Sequence, residues 1–325
     1  MNGVPHLLRR AGERALGCFH VDLNHDHRNS IFLAGSGRSG TTWLSEIINH
    51  RNEYRYIFEP FYPDRVGLCK SFRRKQYLRP EDRCEEFLEP ARKIISGRVR
   101  NLWTDRFNRK LVVRRRLIKD IRANLLLGWL HDNFPRMPIV LLLRHPCAVT
   151  YSRIKLGWKD VLDDTMEQPE LIEDHLSHLE KDIRNARTPF ERSIFLWCIE
   201  NYIPLRQLDP GAFHLVFYEN LCTNPGKEVR RLYSFLGKTF NTSIYSSIGR
   251  PSSLSRRESA VVVGGHPVDS WMGSVDTSQI ERSVEILSLF GLDHIYGDDP
   301  MPNPDGTRAL VEDRTEERGS PGEAG

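Results

Sequence analysis

Between Ile31 and Leu44 the chain reads IFLAGSGRSGTTWL, an apolar run that passes into a glycine- and serine-rich loop holding one arginine and then into a helical pattern. Residues of this kind in this order build a pocket for an anion. Gly35, Gly37 and Gly40 give the backbone access to conformations that a Cβ forbids, so that successive N–H groups can converge on phosphate or sulfate oxygens. A helix opening near Thr41 would add its positive end. Arg38 contributes a permanent cation, and Ser39, Thr41 and Thr42 contribute hydroxyl donors. The spacing of Gly35 and Gly40 is that of a Walker nucleotide loop, but Thr41 stands where the Walker lysine belongs. That replacement argues against an ordinary ATPase or kinase.

A second anion site is written about a hundred residues later. Pro138 to Leu143, PIVLLL, has the continuous apolar character of a strand buried on both faces, and it ends at Arg144. His145 and Pro146 then switch the chain into a helix, proline being well placed in a first turn. Ser152 falls about two turns along, able to face back toward Arg144. The pair can grip one phosphate from two sides.

Taken together, these strings resemble the sulfotransferases that use 3′-phosphoadenosine-5′-phosphosulfate (PAPS). GRSGTTWL resembles their 5′-phosphosulfate loop, with Arg38 at the basic position, and RHPCAVTYSR resembles their 3′-phosphate motif, which assigns that role to Arg144 and Ser152. FYENLCTNP resembles the family's late strand ending in Y-E-x-L. The resemblance implies a three-layer, P-loop-like α/β fold with a central, mainly parallel sheet flanked by helices. It also implies PAPS as donor co-substrate, a hydroxyl-bearing acceptor and no metal. Donor binding then falls to Gly37, Arg38, Ser39, Gly40, Thr41, Thr42, Arg144 and Ser152. Arg256 and Arg257 join them by position and composition, as a late basic loop of the sort many sulfotransferases close over the 3′-phosphate.

Catalysis of sulfuryl transfer needs a group that takes the proton of the attacking hydroxyl. Glu59, in YIFEPFYPD at the end of a second strand, resembles the Glu-Pro of the carbohydrate-type branch, and Pro60 favours an extended backbone that aims the carboxylate into a cleft. The same Glu could instead position substrate or brace the loop, since other branches use a histidine. Lys119, at the end of another strand, is a candidate for neutralising the sulfuryl oxygens or orienting the acceptor, with Arg122 close in sequence; an ion pair with Asp120 or Glu59 is an equal alternative. The carbohydrate-type match tilts the acceptor toward sugars, glycolipids or glycosylated metabolites. A P-loop kinase or NTPase acting on Mg-ATP is the alternative, and a non-catalytic nucleotide-binding module comes third.

Whole-chain numbers agree with a single enzyme of moderate size. The 325 residues include 47 basic and 43 acidic side chains, and the resulting net charge of +4 is too small to demand a nucleic-acid partner. Six cysteines lie scattered without C-x-x-C spacing, which favours a reducing compartment. No apolar run approaches the roughly 20 residues of a membrane span, and LLRRAGERALGCF is broken by charge where a signal peptide is apolar. These features read as cytoplasmic. His20, His25, Asp26 and His27 match no standard metal-ligand spacing. Trp43, Phe61, Tyr62, Trp103 and Trp158 are candidates for an acceptor pocket, although each is more often core, and Arg114 to Arg116 reads as a solvated charged edge.

The elements that must hold these residues alternate strand and helix. Strands are expected at 31–34, 54–58, 117–121, 139–143 and 213–218, and helices at 42–50, 125–133, 190–208 and 227–236. Residues 64–110 read as helices with solvated faces and 160–187 as a helical cap. Residues 271–296 resemble the family's terminal helix, with Ile280, Val284, Leu287 and Phe290 on its apolar side. The expected organisation is a peripheral segment at 1–29, one catalytic domain at 30–297 and a disordered tail at 298–325.

Overall fold

The computed structural model describes residues 17–248, Ser253 and residues 267–307. Its centre is a five-stranded sheet in the order β3-β5-β2-β6-β7, formed by β2 (Ser30–Gly35), β3 (Arg55–Phe58), β5 (Arg116–Asp120), β6 (Ile139–Leu143) and β7 (Phe213–Phe217). β2 and β3 both run parallel to β5, with Ala34 opposite Asp120 and Phe58 opposite Lys119. Parallel strands need helical crossovers, and these cover the sheet faces. Every residue of β2, β3, β5 and β6 is buried, which is why IVLLL carries no polar alternation. Helices flank the sheet, so the fold is the α/β arrangement expected.

Two compact units make up the described chain. The first holds residues 17–35, 41–141 and 241–248 with Ser253; the second holds 36–40, 142–240 and 267–307. In the first unit, α1 (Thr41–Ile48) and α3 (Leu127–Asn133) bury Leu44, Ile47, Ile48, Trp129 and Leu130. A small parallel ribbon joins β1 (Val21–Asp22) to β4 (Val112–Val113). Arg116 ties this ribbon down by donating to Asp22, to the Ser30 hydroxyl and to the carbonyl of Asp26.

Residues 64–110 depart from the helical expectation. They contain a single turn at Gly67–Cys69 and one helix, α2 (Glu85–Ile95), the rest being turns. Their apolar residues do not keep a helical period. Phe72 instead packs edge-on against Phe61 and Phe87, with centroids 5.5 and 5.0 Å away, so side-chain packing orders a segment that backbone periodicity does not.

The second unit is built on α4 (Pro146–Lys155) and α5 (Pro189–Gln207), beside α6 (Tyr218–Thr223), α7 (Pro225–Phe235) and α8 (Thr277–Leu289). A capping box at Thr188 and Glu191 starts α5, and Pro189 at its first position adds to the signal. The 160–187 region is helical in short pieces, at Leu162–Met166 and Glu180–Asn185 among others. The terminal helix is shorter than the 271–296 stretch, because Asp276 caps its start and Gly291, at φ 65°, follows its end. Its buried stripe is Ser283, Ile286 and Leu287, followed by Phe290, while Ile280 and Val284 are half-buried. Past Gly297, where a disordered tail is expected, the described chain continues to Thr307, and the Asn303 amide donates to the Ile295 carbonyl at 2.8 Å. Residues 308–325 lie outside the described residues.

Candidate active site

The loop Ser36–Gly40 leaves β2 and is fixed at nearly every residue by groups of the second unit. Ser36 donates its hydroxyl to Glu200 Oε2 at 2.5 Å and accepts from Asn201 Nδ2 at 3.1 Å. The Gly37 carbonyl accepts from Arg153 Nε at 3.2 Å and the Arg38 carbonyl from Arg144 Nη1 at 3.2 Å. The Ser39 amide closes a turn onto the Ser36 carbonyl at 3.0 Å. The left-handed positions fall on Arg38, φ 82°, and Gly40, φ 98°. Gly35 and Gly37 do not take the left-handed backbone, so of the three loop glycines it is Gly40 that uses it. A Cβ on Gly40 would also stand 2.7 Å from the Tyr218 ring.

Arg38 meets both Ser152 and Arg144. Arg38 Nε donates to the Ser152 hydroxyl at 2.9 Å. Arg144 leaves the end of β6, lays its guanidinium 4.2 Å over the Tyr218 ring and donates Nη2 to the Pro267 carbonyl at 3.0 Å. Trp197 Nε1 donates to the Arg144 carbonyl at 3.1 Å. Two buried polar atoms here, Ser39 Oγ and Arg144 Nε, have no partner among the described residues. Buried donors without partners are costly, and oxygens of bound anionic groups would satisfy them, so the chemistry of the site fits phosphate or sulfate.

His145 and Glu219 are hydrogen-bonded to each other after β6, Glu219 Oε1 accepting from the His145 amide at 2.8 Å. The His145 ring stacks on Trp271 at 4.3 Å and meets the Gly297 carbonyl through Nε2 at 3.2 Å. Burial, opposed by that bond and aided by the Arg144 charge, pulls its pKa down to about 3, so it stays neutral. Glu219 is raised by burial and accepts from the His145 amide and the Tyr296 hydroxyl. The Tyr-Glu pair, expected at the end of the late strand, instead opens α6, because β7 stops at Phe217; there Tyr218 carries the Arg144 cation and Glu219 pins the start of α4.

In the first unit Glu59 directly follows β3. Its backbone is left-handed, φ 43°, rather than extended as the following Pro60 led us to expect. Its carboxylate accepts from Lys119 Nζ at 2.7 Å and from Arg122 Nη1 at 2.6 Å. Burial pushes the Glu59 pKa up, but the Lys119 and Arg122 charges outweigh it and leave the group below the ordinary carboxylate range. Lys119 thus makes the ion pair with Glu59 that its sequence position allowed, and it also sits 4.6 Å over the Phe58 ring. Fully buried Asp120 accepts from the Phe61 and Arg122 amides, fixing the turn after Glu59. Trp103 donates its indole N–H to the Glu59 carbonyl at 3.1 Å and meets Tyr62 edge-on, while Arg122 lies 3.7 Å over the Tyr62 ring. Thr41 and Thr42 open α1 in the same unit. Arg256 and Arg257 lie outside the described residues.

Sequence reasoning did not single out Arg153, Glu200 or Asn201, and it weighed Asp120 only as an ion-pair partner of Lys119. The signal for Glu200 and Asn201 is a polar pair inside the apolar run FLWCIENYI, both positions fully buried. Among the described residues no cluster of ligands suited to a metal occurs, and no helix is long and apolar enough to cross a membrane. None of the six cysteines is in a disulfide.

A mainly parallel sheet with an anion loop leaving β2 defines a P-loop-like α/β protein. The chain belongs to the sulfotransferase family, whose sequence model matches residues 30–242. Among solved structures it is similar to mouse sulfotransferase SULT7A1 complexed with PAP, at 16% identity over 92% of this chain and 93% of that one, TM-score 0.46. The sulfotransferase domain of the Synechococcus PCC 7002 olefin synthase is 16% identical over 80% and 94%, TM-score 0.46. The sulfotransferase domain of the curacin biosynthetic pathway is 15% identical over 80% and 96%, TM-score 0.44. No curated protein matches the chain.

Proposed function

We propose that this sulfotransferase moves the sulfuryl group of PAPS to an acceptor hydroxyl on a carbohydrate, glycolipid or small metabolite, with Glu59 as the base. The observation that carries the donor reading is the meeting of Arg38, Arg144 and Ser152 around one loop. Gly37, Ser39, Gly40, Thr41 and Thr42 complete the 5′ end of the donor site, and Arg144 with Ser152 takes the 3′-phosphate. Arg256 and Arg257 extend the same role to the late basic loop.

The acceptor oxygen attacks sulfur in line, the bond from sulfur to the bridging oxygen of the 5′-phosphate breaks, and adenosine 3′,5′-bisphosphate leaves. The acceptor proton goes to a Glu59 carboxylate oxygen. As in phosphoryl transfer, positioning and charge stabilisation carry most of the rate. Arg38 and the loop amides meet charge that grows on the leaving oxygens. Lys119 and Arg122 keep Glu59 ionised and aimed, and Lys119 offers a cation to the sulfuryl oxygens. Tyr62 and Trp103 supply aromatic faces on which a sugar can pack.

Thermal unfolding with added nucleotide tests the reading. Adenosine 3′,5′-bisphosphate at about 100 times its Kd should stabilise by about 2.7 kcal/mol without metal. Stabilisation by ATP only when Mg²⁺ is present would instead make this a nucleotide triphosphatase or kinase. Transfer of ³⁵S from labelled PAPS to a panel of glycosides, glycolipids and phenols identifies the acceptor class.

A further inference from the structure

Against the Ser36–Gly40 loop lies a buried set of charged and polar groups, Arg153, Glu200 and Asn201. Arg153, on the helix that carries Ser152, donates Nε to the Gly37 carbonyl at 3.2 Å and Nη2 to Glu200 Oε2 at 2.7 Å. Glu200 Oε2 also receives the Ser36 hydroxyl at 2.5 Å, and Ser36 is held from its other side by Asn201. Relative exposure is 6% for Arg153 and 0% for Glu200 and Asn201, so no part of the set is a surface ion pair.

Burying an arginine and a glutamate is expensive, and two apolar residues would serve packing alone as well or better. What apolar residues cannot do is hold a carbonyl in a chosen direction. A trans peptide is planar, with its C=O and the following N–H pointing opposite ways, and no cis bond occurs among the described residues. With the Gly37 oxygen drawn to Arg153, the Arg38 amide turns to the opposite side of the loop, while the Arg38 oxygen is drawn to Arg144 and the Ser39 amide is taken up by the Ser36 carbonyl. The negative ends of both peptide dipoles then face guanidinium groups instead of an incoming anion.

We propose that Glu200 and Arg153 are positioning residues for sulfuryl transfer: Glu200 orients the Arg153 fork and the Ser36 hydroxyl, and Arg153 sets the Gly37–Arg38 peptide so that the loop accepts the 5′-phosphate end of the donor. This rests on the reading of Ser36–Gly40 as the donor loop. It predicts an effect confined to one end of the nucleotide. A lysine at 153 keeps the charge but cannot reach Gly37 and Glu200 together in a planar fork, and a glutamine at 200 keeps the shape but loses the charge-assisted bonds.

Calorimetric titration with two probes tests it, adenosine 3′,5′-bisphosphate and adenosine 3′-monophosphate, the second lacking the phosphate that the loop holds. In Glu200→Gln and in Arg153→Lys the bisphosphate should bind about tenfold more weakly, the loss of one charge-assisted hydrogen bond. The monophosphate should bind each variant as it binds the parent protein. Equal weakening of both probes would mean a general structural role and would overturn the proposal, as would unchanged binding of the bisphosphate. If the parent protein binds neither probe, the donor reading itself falls, and the inference with it. Kinetics add an independent readout: KM for PAPS should rise in both variants while KM for the acceptor stays put.

Discussion

Glu59 carries its charge against burial because two cations hold it. A carboxylate so depressed contributes to folding fully above the ordinary carboxylate range and loses that contribution as pH falls through its folded-state value. Removing one cation therefore has a predictable sign. In Lys119→Met burial is opposed by Arg122 alone, so the acid limb of the kcat/KM profile should move to higher pH, and an unmoved limb would show that Lys119 does not set the ionisation of Glu59. For Glu59→Gln we expect turnover to fall by about 10²-fold or more, with calorimetric affinity for adenosine 3′,5′-bisphosphate unchanged. Turnover at the parent level would remove Glu59 from the role of base. Glu59 was legible as a candidate from its Glu-Pro pair, but its left-handed backbone and its double pairing were not. The pairing depends on Lys119 and Arg122, which lie some sixty residues away in sequence.

At the scale of elements, the anion loop is where backbone conformation and chemistry compete. Arg38 holds a left-handed backbone that costs a non-glycine residue about 1–2 kcal/mol. Arg38→Gly should therefore keep or raise Tm while donor binding is lost, a combination that ordinary destabilisation cannot produce. The reverse holds for Gly40→Ala, where both the φ of 98° and the Tyr218 ring oppose a Cβ. That variant should lose about 1–3 kcal/mol in urea unfolding and lose donor binding with it. The α5 capping box gives a control distant from the chemistry: Thr188→Ala should cost about 1 kcal/mol and leave KM for PAPS unchanged. β6 and its turn into α4 were readable to the residue, since a fully apolar run followed by Arg-His-Pro has little alternative. The 64–110 segment was not, because aromatic packing rather than period orders it.

For the whole molecule, stability leans on ion pairs that no surface count would find. Arg55 donates to Asp105 and to the Gly97 and Val99 carbonyls, with both charged side chains wholly buried. Asp105→Ala leaves that guanidinium uncompensated and should cost about 3–5 kcal/mol, read from urea unfolding. A cost below 1 kcal/mol would mean that water reaches the site. In sequence Arg55 and Arg116 look like ordinary strand-edge charges. They are buried because loops around residues 97–105 and 22–26 fold over them and turn carbonyls inward.

The amino-acid sequence alone determined the α/β class, the loop at 36–40, the strand that delivers Arg144 and the helix that delivers Ser152. All of these are set by neighbours within a few residues: apolar runs long enough for strands, glycine where a Cβ is forbidden, proline where a helix starts. The tertiary structure decided which charges meet. Arg153 and Glu200 lie under the loop, Arg122 beside Glu59, and Arg55 inside the core, because ion pairs and buried hydrogen bonds depend on separation in space and on exclusion of water, and neither is encoded in local spacing.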